Sequence, residues 1–351
     1  MSTKARSAAV GVLIVGAVVV VIAAVSGALY EQMQRARDRE NFPQIGRSVD
    51  IGGRRLTIDC SGAGQPAVIL ASGAPWAFYS NPRAMWENGA PRPGYRWVAI
   101  QRQMAPSTTT CWYDPAGSGW SDPGPYPRDS ASQARDLHAL LQAAGVPPPY
   151  LLVAESSAAL DARVFTGFYP AEVAGLVLVN GVHPDLLIRT RPRAGLPWPG
   201  FVSHSQDASA RILSLIGLYR FGSINHPAPA PPPQGIASAE WNTIWHLTQS
   251  PKARAALVQD IASRNQSTAE ARAAGSLGSR PLAVVSSENV EAASAYPGLW
   301  MELQTDLARL STRGKNIVIG GDGDPIYQSP GAVLEAVRQV LGAVRNPATP
   351  R

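Results

Sequence analysis

The sequence predicts an α/β protein with a mostly parallel central sheet, and three observations carry that expectation. Residues 150–168 read as strand, tight turn and helix. The apolar run Tyr150-Leu151-Leu152-Val153 follows prolines, small residues fill the turn around Ser156 and Ser157, and Leu160, Val164 and Phe168 then recur at helical spacing. Residues 173–179, Val-Ala-Gly-Leu-Val-Leu-Val, form a continuous apolar run of the kind a parallel sheet buries on both faces. Residues 66–71 read as another buried strand.

A chain of 351 residues is long enough for one large domain or two. The net charge is +6, but its lysines and arginines are scattered, with no basic block and no strip of interleaved aromatics. Nucleic acid is therefore not an expected partner. No cluster of residues has metal-ligand spacing and there is no P-loop, so neither a metal nor a cofactor is expected.

At the N-terminus, residues 7–30 carry no charge and residues 10–25 are almost wholly apolar. A helix of about 20 such residues crosses a bilayer core. The rival is a cleaved signal peptide, because Lys4 and Arg6 precede the run and Ser26-Gly27-Ala28 offers small residues for cleavage. The run is longer than a usual signal core, which favours an uncleaved anchor. Charge does not set its orientation, since Arg35, Arg37 and Arg39 follow the span. Residues 31–40 read as a polar helical stalk that Phe42-Pro43 ends.

Two alternating strands, residues 47–51 and 54–60, flank a Gly52-Gly53 turn and read as a hairpin. After the strand at 66–71 comes Ser72-Gly73-Ala74. Residues 75–96 then read as an insertion in which Trp76, Phe78, Tyr79 and Trp86 either wall a pocket or pack a surface loop. A helix at 97–104, a strand at 108–113 and an amphipathic helix at 132–144 follow, the last with Leu137, Leu140 and Leu141 as its stripe and Gly145 as its stop. Beyond His183 the periodicity breaks up. Helices are expected at 209–219, 238–248 and 251–264, with a proline-rich linker at 227–233. Strands at 282–285 and 316–319 resume the sheet, with helices at 299–310 and 331–341 and Gly342 as a stop.

The turn at Ala154-Glu155-Ser156-Ser157-Ala158 has the layout of a nucleophile elbow, G-x-S-x-G, with alanine for both glycines. On those five residues alone, a serine capping an ordinary helix is the better reading. The flanks change that. Upstream stands Tyr113-Asp114-Pro115-Ala116-Gly117-Ser118-Gly119-Trp120-Ser121-Asp122-Pro123, and downstream Gly175-Leu176-Val177-Leu178-Val179-Asn180 and His183-Pro184-Asp185. The chain resembles the α/β-hydrolase superfamily over roughly residues 47–344, in particular bacterial membrane-anchored or exported serine hydrolases. The resemblance implies one domain over residues 41–346, an anchor and stalk over 1–40, a helical lid over about 184–280, and a tail at 347–351.

The resemblance also implies a serine, an acid and a histidine in that chain order. Ser156 matches the nucleophile, and Ser157 with Gly73 and Ala74 matches the oxyanion-hole donors. The other two positions depart from the pattern. Asp324 stands where the family has its histidine, and its carboxylate is a weak base at neutral pH. Asn180 stands where the family has aspartate after the sixth strand, and an amide has no charge to stabilise an imidazolium. Glu288, after the seventh strand, is the alternative acid, and His183 the alternative base, with loop bracing as its plainer role. Asp114 and His138 read as structural or bystander residues. In the family's strand order Cys60 and Cys111 lie on neighbouring strands, which predicts a disulfide and an extracytoplasmic domain. Two functions follow: an impaired hydrolase-fold protein at the membrane that keeps a pocket for a small acyl ligand or an interaction, or an active esterase using an unusual base. Oligomeric state is not legible.

Overall fold

The computed structural model describes residues 3–74, 93–186, 188–190, 215–217, 228, 231–288, 297–321 and 324–346. The chain divides into two compact units. One comprises residues 1–44 and 204–226, the other residues 45–203 and 227–351.

In the first unit a single helix, α1 (Thr3–Asn41), runs unbroken from the apolar stretch into the polar stalk. It is the one helix among the described residues long and apolar enough to cross a membrane. Glu31 and Arg35 pair across one turn at 2.8 Å. The backbone of Ile216 packs so closely on Gly27 that a Cβ there would collide with it. The small residue at 27 thus has a packing reason as well as its fit to a cleavage signal.

The second unit is built on one eight-stranded sheet: β1 (Arg47–Asp50), β2 (Arg55–Ser61), β3 (Ala67–Ala71), β4 (Thr110–Tyr113), β5 (Tyr150–Glu155), β6 (Val173–Val179), β7 (Leu282–Ser287) and β8 (Gly314–Ile319). Its spatial order is β1-β2-β4-β3-β5-β6-β7-β8. Strands β1 and β2 run antiparallel to their neighbours, and the rest are parallel. Asp50 sets the first turn by accepting from the N–H groups of Gly52 and Gly53 at 2.8 and 2.9 Å.

The central strands are buried throughout, yet their side chains alternate between two cores. Ile69, Leu152, Ala154, Leu176 and Leu178 enter one core, and Leu70, Leu151, Val153, Val177 and Val179 enter the other. Helices α3 (Ser130–Ala143), α4 (Ala158–Phe168) and, after β7, α7 (Pro297–Ala308) cover the first. The earlier α2 (Val98–Met104) and the final α9 (Pro330–Arg345) cover the second. Helices α5 (Ser238–Thr248) and α6 (Pro251–Ala273) lie between β6 and β7 in the chain. A short helix α8 (Pro325–Gln328) precedes α9.

Several expectations are corrected. The helix expected to end at Arg264 continues to Ala273, because Asp260, Ser263, Ser267 and Glu270 each bind the segment 128–131. The final helix runs through Gly342 to Arg345, since Val340 and Leu341 are buried and Val344 packs on the same core. Phe168 does not complete the buried stripe of α4. It is 46% exposed, under the guanidinium of Arg135, and Phe165 fills the core instead. The insertion aromatics Trp76, Phe78, Tyr79 and Trp86, and the helix expected at 209–219 apart from residues 215–217, lie outside the described residues.

Cys60 and Cys111 are register partners on β2 and β4 and form a disulfide, with Cα atoms 4.1 Å apart. Directly opposed residues of an antiparallel pair point to the same face of the sheet, which brings the two sulfurs together.

Candidate active site

β5 ends at Glu155 and the chain turns sharply. Ser156 has φ 54°, and Asn180, just past the neighbouring β6, has φ 44°. A non-glycine residue in this region costs roughly 1–3 kcal/mol, so the surroundings must hold it. They do: Ser156 N–H donates to Val179 O at 3.0 Å, and Ser156 O accepts from Val182 N–H at 2.9 Å. Helix α4 starts two residues later.

The alanines at 154 and 158 fit because the need for glycine has moved across the turn. Both are buried, and the approaching backbone is that of Gly73, where a Cβ would collide with the main chain of Glu155, Ser157 and Ala158. The loop after β3 is thereby pressed against the elbow. Ser156 Oγ donates to Ala74 O at 2.7 Å, and Ala74 N–H donates to Ser157 Oγ at 2.8 Å. The two serines hold both polar groups of Ala74. Among the described residues no imidazole or carboxylate is bonded to the Ser156 hydroxyl.

Asp324 is engaged elsewhere. Its Oδ1 caps α8, accepting from Ile326 N–H at 3.1 Å, and its Oδ2 pairs with Arg96. Arg96, fully buried, comes from a single 3₁₀ turn (Gly94–Trp97) and places its second terminal nitrogen 2.6 Å from Glu155 Oε2. The Tyr327 ring lies 5.0 Å from the guanidinium. Burial works against the guanidinium charge, but the carboxylates of Asp324 and Glu155 outweigh it and raise the Arg96 pKa above its usual value. Arg96 was not singled out from the sequence. Its signal is a lone arginine inside the otherwise apolar run Tyr95-Arg96-Trp97-Val98, where an unpaired charge has no place.

Asp114 sets up that turn. Its carboxylate accepts from Gly94 N–H at 2.7 Å and Trp120 N–H at 2.8 Å, and burial pushes its pKa up to about 6. Its role is structural, as the sequence suggested. Helix α5 meets the same corner: Trp241 packs edge-on against Tyr327 at 5.3 Å, and Glu240 accepts from Tyr95 Oη at 3.3 Å.

The acid candidates separate. Asn180 is bound to β7: its Oδ1 accepts from Ser287 N–H at 2.8 Å and its Nδ2 donates to Ser287 Oγ at 3.2 Å. Glu288 pairs its backbone N–H with Ile319 O at 2.9 Å and its side chain is exposed. His183 has both ring nitrogens committed. Nδ1 accepts from Asp185 N–H at 3.0 Å, and Nε2 lies 3.1 Å from Asp306 Oδ2. Burial lowers its pKa, against the raising effect of Asp185 and Asp306. The structure therefore brings Ser156, Ser157, Gly73 and Ala74 together and joins Asp324 to Glu155 through Arg96, while His183 braces its own loop. His138 stacks on Tyr169 at 3.7 Å and lies beside Phe165, with Nε2 3.0 Å from Glu172 Oε1. Two further histidines, His204 and His226, which follow the β6 end in the chain, lie outside the described residues. Among the described residues no group of histidine, cysteine, aspartate or glutamate side chains is placed to hold a metal.

An antiparallel pair leading a parallel sheet, with a strained serine after the fifth strand, defines the α/β-hydrolase type of protein. Residues 85–203 match the family described as alpha/beta hydrolase fold. An AB hydrolase superfamily protein of Gibberella zeae is 26% identical over 220 residues, 59% of this chain and 63% of that protein. The chain spans about six-tenths of the length of the curated relatives it matches, 63% and 57%. Among solved structures, a thermophilic esterase from Thermogutta terrifontis aligns with a TM-score of 0.55 at 20% identity, covering 86% of this chain and 99% of the esterase. A putative epoxide hydrolase from Pseudomonas aeruginosa aligns with a TM-score of 0.58 at 17% identity, covering 86% and 96%. The chain has the α/β-hydrolase fold.

Proposed function

We propose that this is a catalytically impaired α/β-hydrolase-fold protein, held at a membrane by its N-terminal helix, which retains a pocket for a small acyl ligand or an interaction. One observation carries the reading: the carboxylate of Asp324, at the position where the family has its base, is bound to buried Arg96 and not to Ser156. A serine hydroxyl without a base of pKa near 7 is a poor nucleophile. Its proton is given to a backbone carbonyl, which cannot take it. Asn180, tied to Ser287, adds no charge. The fold itself argues for no particular reaction, since its solved relatives include an esterase and an epoxide hydrolase.

A second reading has a specific observation in its favour. The strained φ of Ser156 and the open N–H of Ser157 are what an acyl-transfer nucleophile needs, and strain of this kind gathers at functional sites. On that reading the protein is a serine esterase for a small acyl substrate that uses a non-standard base, with Glu288 as the alternative acid.

Hydrolysis of a short-chain activated ester by wild type and Ser156→Ala separates the two. The impaired reading expects turnover at least about 10³-fold below an ordinary esterase rate of roughly 10 per second. Wild-type turnover near that rate, abolished by Ser156→Ala, overturns it. The disulfide supports an extracytoplasmic position for the domain, because such bonds persist in oxidising compartments.

A further inference from the structure

We infer that Ser157 is an internal occupant of the oxyanion site, and that a carbonyl or phosphonyl ligand enters only by displacing its hydroxyl from Ala74 N–H. The inference rests on the assignment of Ser156 as the nucleophile position, and it adds what guards that position.

In this fold an oxyanion is held by two backbone donors, one from the residue after the nucleophile and one from the loop after the third strand. Here those are Ser157 N–H and Ala74 N–H. The first carries no hydrogen bond among the described residues. The second donates to the hydroxyl of the same Ser157 at 2.8 Å. One donor is open and the other is filled by a side chain of the elbow itself. The arrangement is held from both sides, because Ser156 Oγ donates to Ala74 O at 2.7 Å and Gly73 has no Cβ to keep the loop away.

The latch can open locally. A serine side chain has three staggered positions of similar energy, and Ser157 is partly exposed, so its hydroxyl finds water on leaving. What it loses is one neutral hydrogen bond. A ligand oxygen bearing negative charge gains a bond about twice as strong. An anionic or tetrahedral phosphonyl oxygen therefore displaces Ser157, whereas a neutral ester carbonyl is close to an even exchange. The site selects charge on the ligand oxygen.

The test compares wild type with Ser157→Ala and Ser157→Thr as full-length protein in detergent, using a fluorophosphonate. In labelling, the Ser156 Oγ–P bond forms, the P–F bond breaks, and fluoride and the hydroxyl proton leave to water. Ser157→Ala should label about fivefold faster, the factor that one net hydrogen bond represents. Ser157→Thr, which keeps the hydroxyl, should label like wild type. Without ligand, exchange of the Ala74 amide should be faster in Ser157→Ala only. Equal or slower labelling with unchanged Ala74 exchange overturns the inference. Where neither protein labels, the Ala74 exchange decides. If Ser157→Ala folds poorly, Ser157→Gly carries the same comparison, since glycine is tolerated ahead of a helix. Fast labelling of wild type counts against the impaired reading, whereas the inference is judged on the ratio between variants.

Discussion

The carboxylate of Asp324 and the guanidinium of Arg96 form an ion pair across 228 residues of chain, with Glu155 on the other side of the same guanidinium. The side chain of Arg96 has no exposed surface, and that of Asp324 has 15%. Breaking a buried pair by removing one partner typically costs 3–5 kcal/mol. Because Asp324 keeps some water and Glu155 remains, Asp324→Ala should destabilise by about 3 kcal/mol or slightly less. Urea unfolding measures it, and a loss below about 0.5 kcal/mol would mean that the pair is solvent-screened.

Restoring a histidine tests the same corner chemically. Asp324→His puts an imidazole beside Arg96, whose charge keeps it neutral and able to accept a proton but opposes the imidazolium that follows. The double variant Asp324→His with Asn180→Asp supplies a counter-charge and should hydrolyse an activated ester faster than either single variant. Equal rates for the single and double variants would show that residue 180 does not reach residue 324.

The Cys60–Cys111 bond closes a loop with a sequence separation of 51. Cross-links of this span stabilise by about 2–4 kcal/mol in the chain-entropy account. Cys60→Ser with Cys111→Ser should lower the unfolding free energy by that amount while the domain still folds, because both positions lie inside a continuous β2–β4 ladder. Thiol labelling of the unfolded wild-type protein without reductant should find no free cysteine.

Removing residues 1–40 should leave the sheet domain folded, since its hairpin begins at Arg47. It also takes away Gly27, on which Ile216 packs. Limited proteolysis should therefore cut the truncated protein first near residue 216, and the full chain more slowly there. An insoluble product would count against dividing the chain at this point.

Stability should depend on pH through buried acids. Asp161, which accepts from Ser130 Oγ at 2.6 Å, has its pKa pushed up to about 7, and Asp260 to about 6, in both cases mainly by burial. Unfolded aspartate titrates near 4, so between about pH 4 and 7 the folded chain holds more protons than the unfolded one. Their contribution is complete at low pH and is lost as pH rises through that window. His183 works oppositely: burial lowers its pKa, so its contribution is lost as pH falls below about 6.5. Asp161→Asn keeps the acceptor for Ser130 and removes the first slope. Relative to wild type it should gain about 1–2 kcal/mol at pH 8 over pH 5, a figure reduced because Asp161 keeps some contact with water. An unchanged difference between the two pH values would show that Asp161 is ionised throughout.

The sequence by itself determined the elements whose signal is local. The apolar runs of β3, β5 and β6, the small-residue turn at Ser156 and the Asp50–Gly53 hairpin each declare themselves within ten residues, because strand burial and turn geometry are short-range properties. Helix α6 was legible only in part, since its last turns are held by a polar stripe at Asp260, Ser263, Ser267 and Glu270 that apolar periodicity does not register. The tertiary structure alone decided what Asp324 does. Its departure from the family pattern is visible in the chain, but its partner is an arginine far away in sequence, and a buried charge is assigned only when the fold shows which opposite charge shares its cavity. The same holds for Ala74 and Ser157: each lies where the motif requires it, and only the close approach at Gly73 brings the hydroxyl onto the donor it fills.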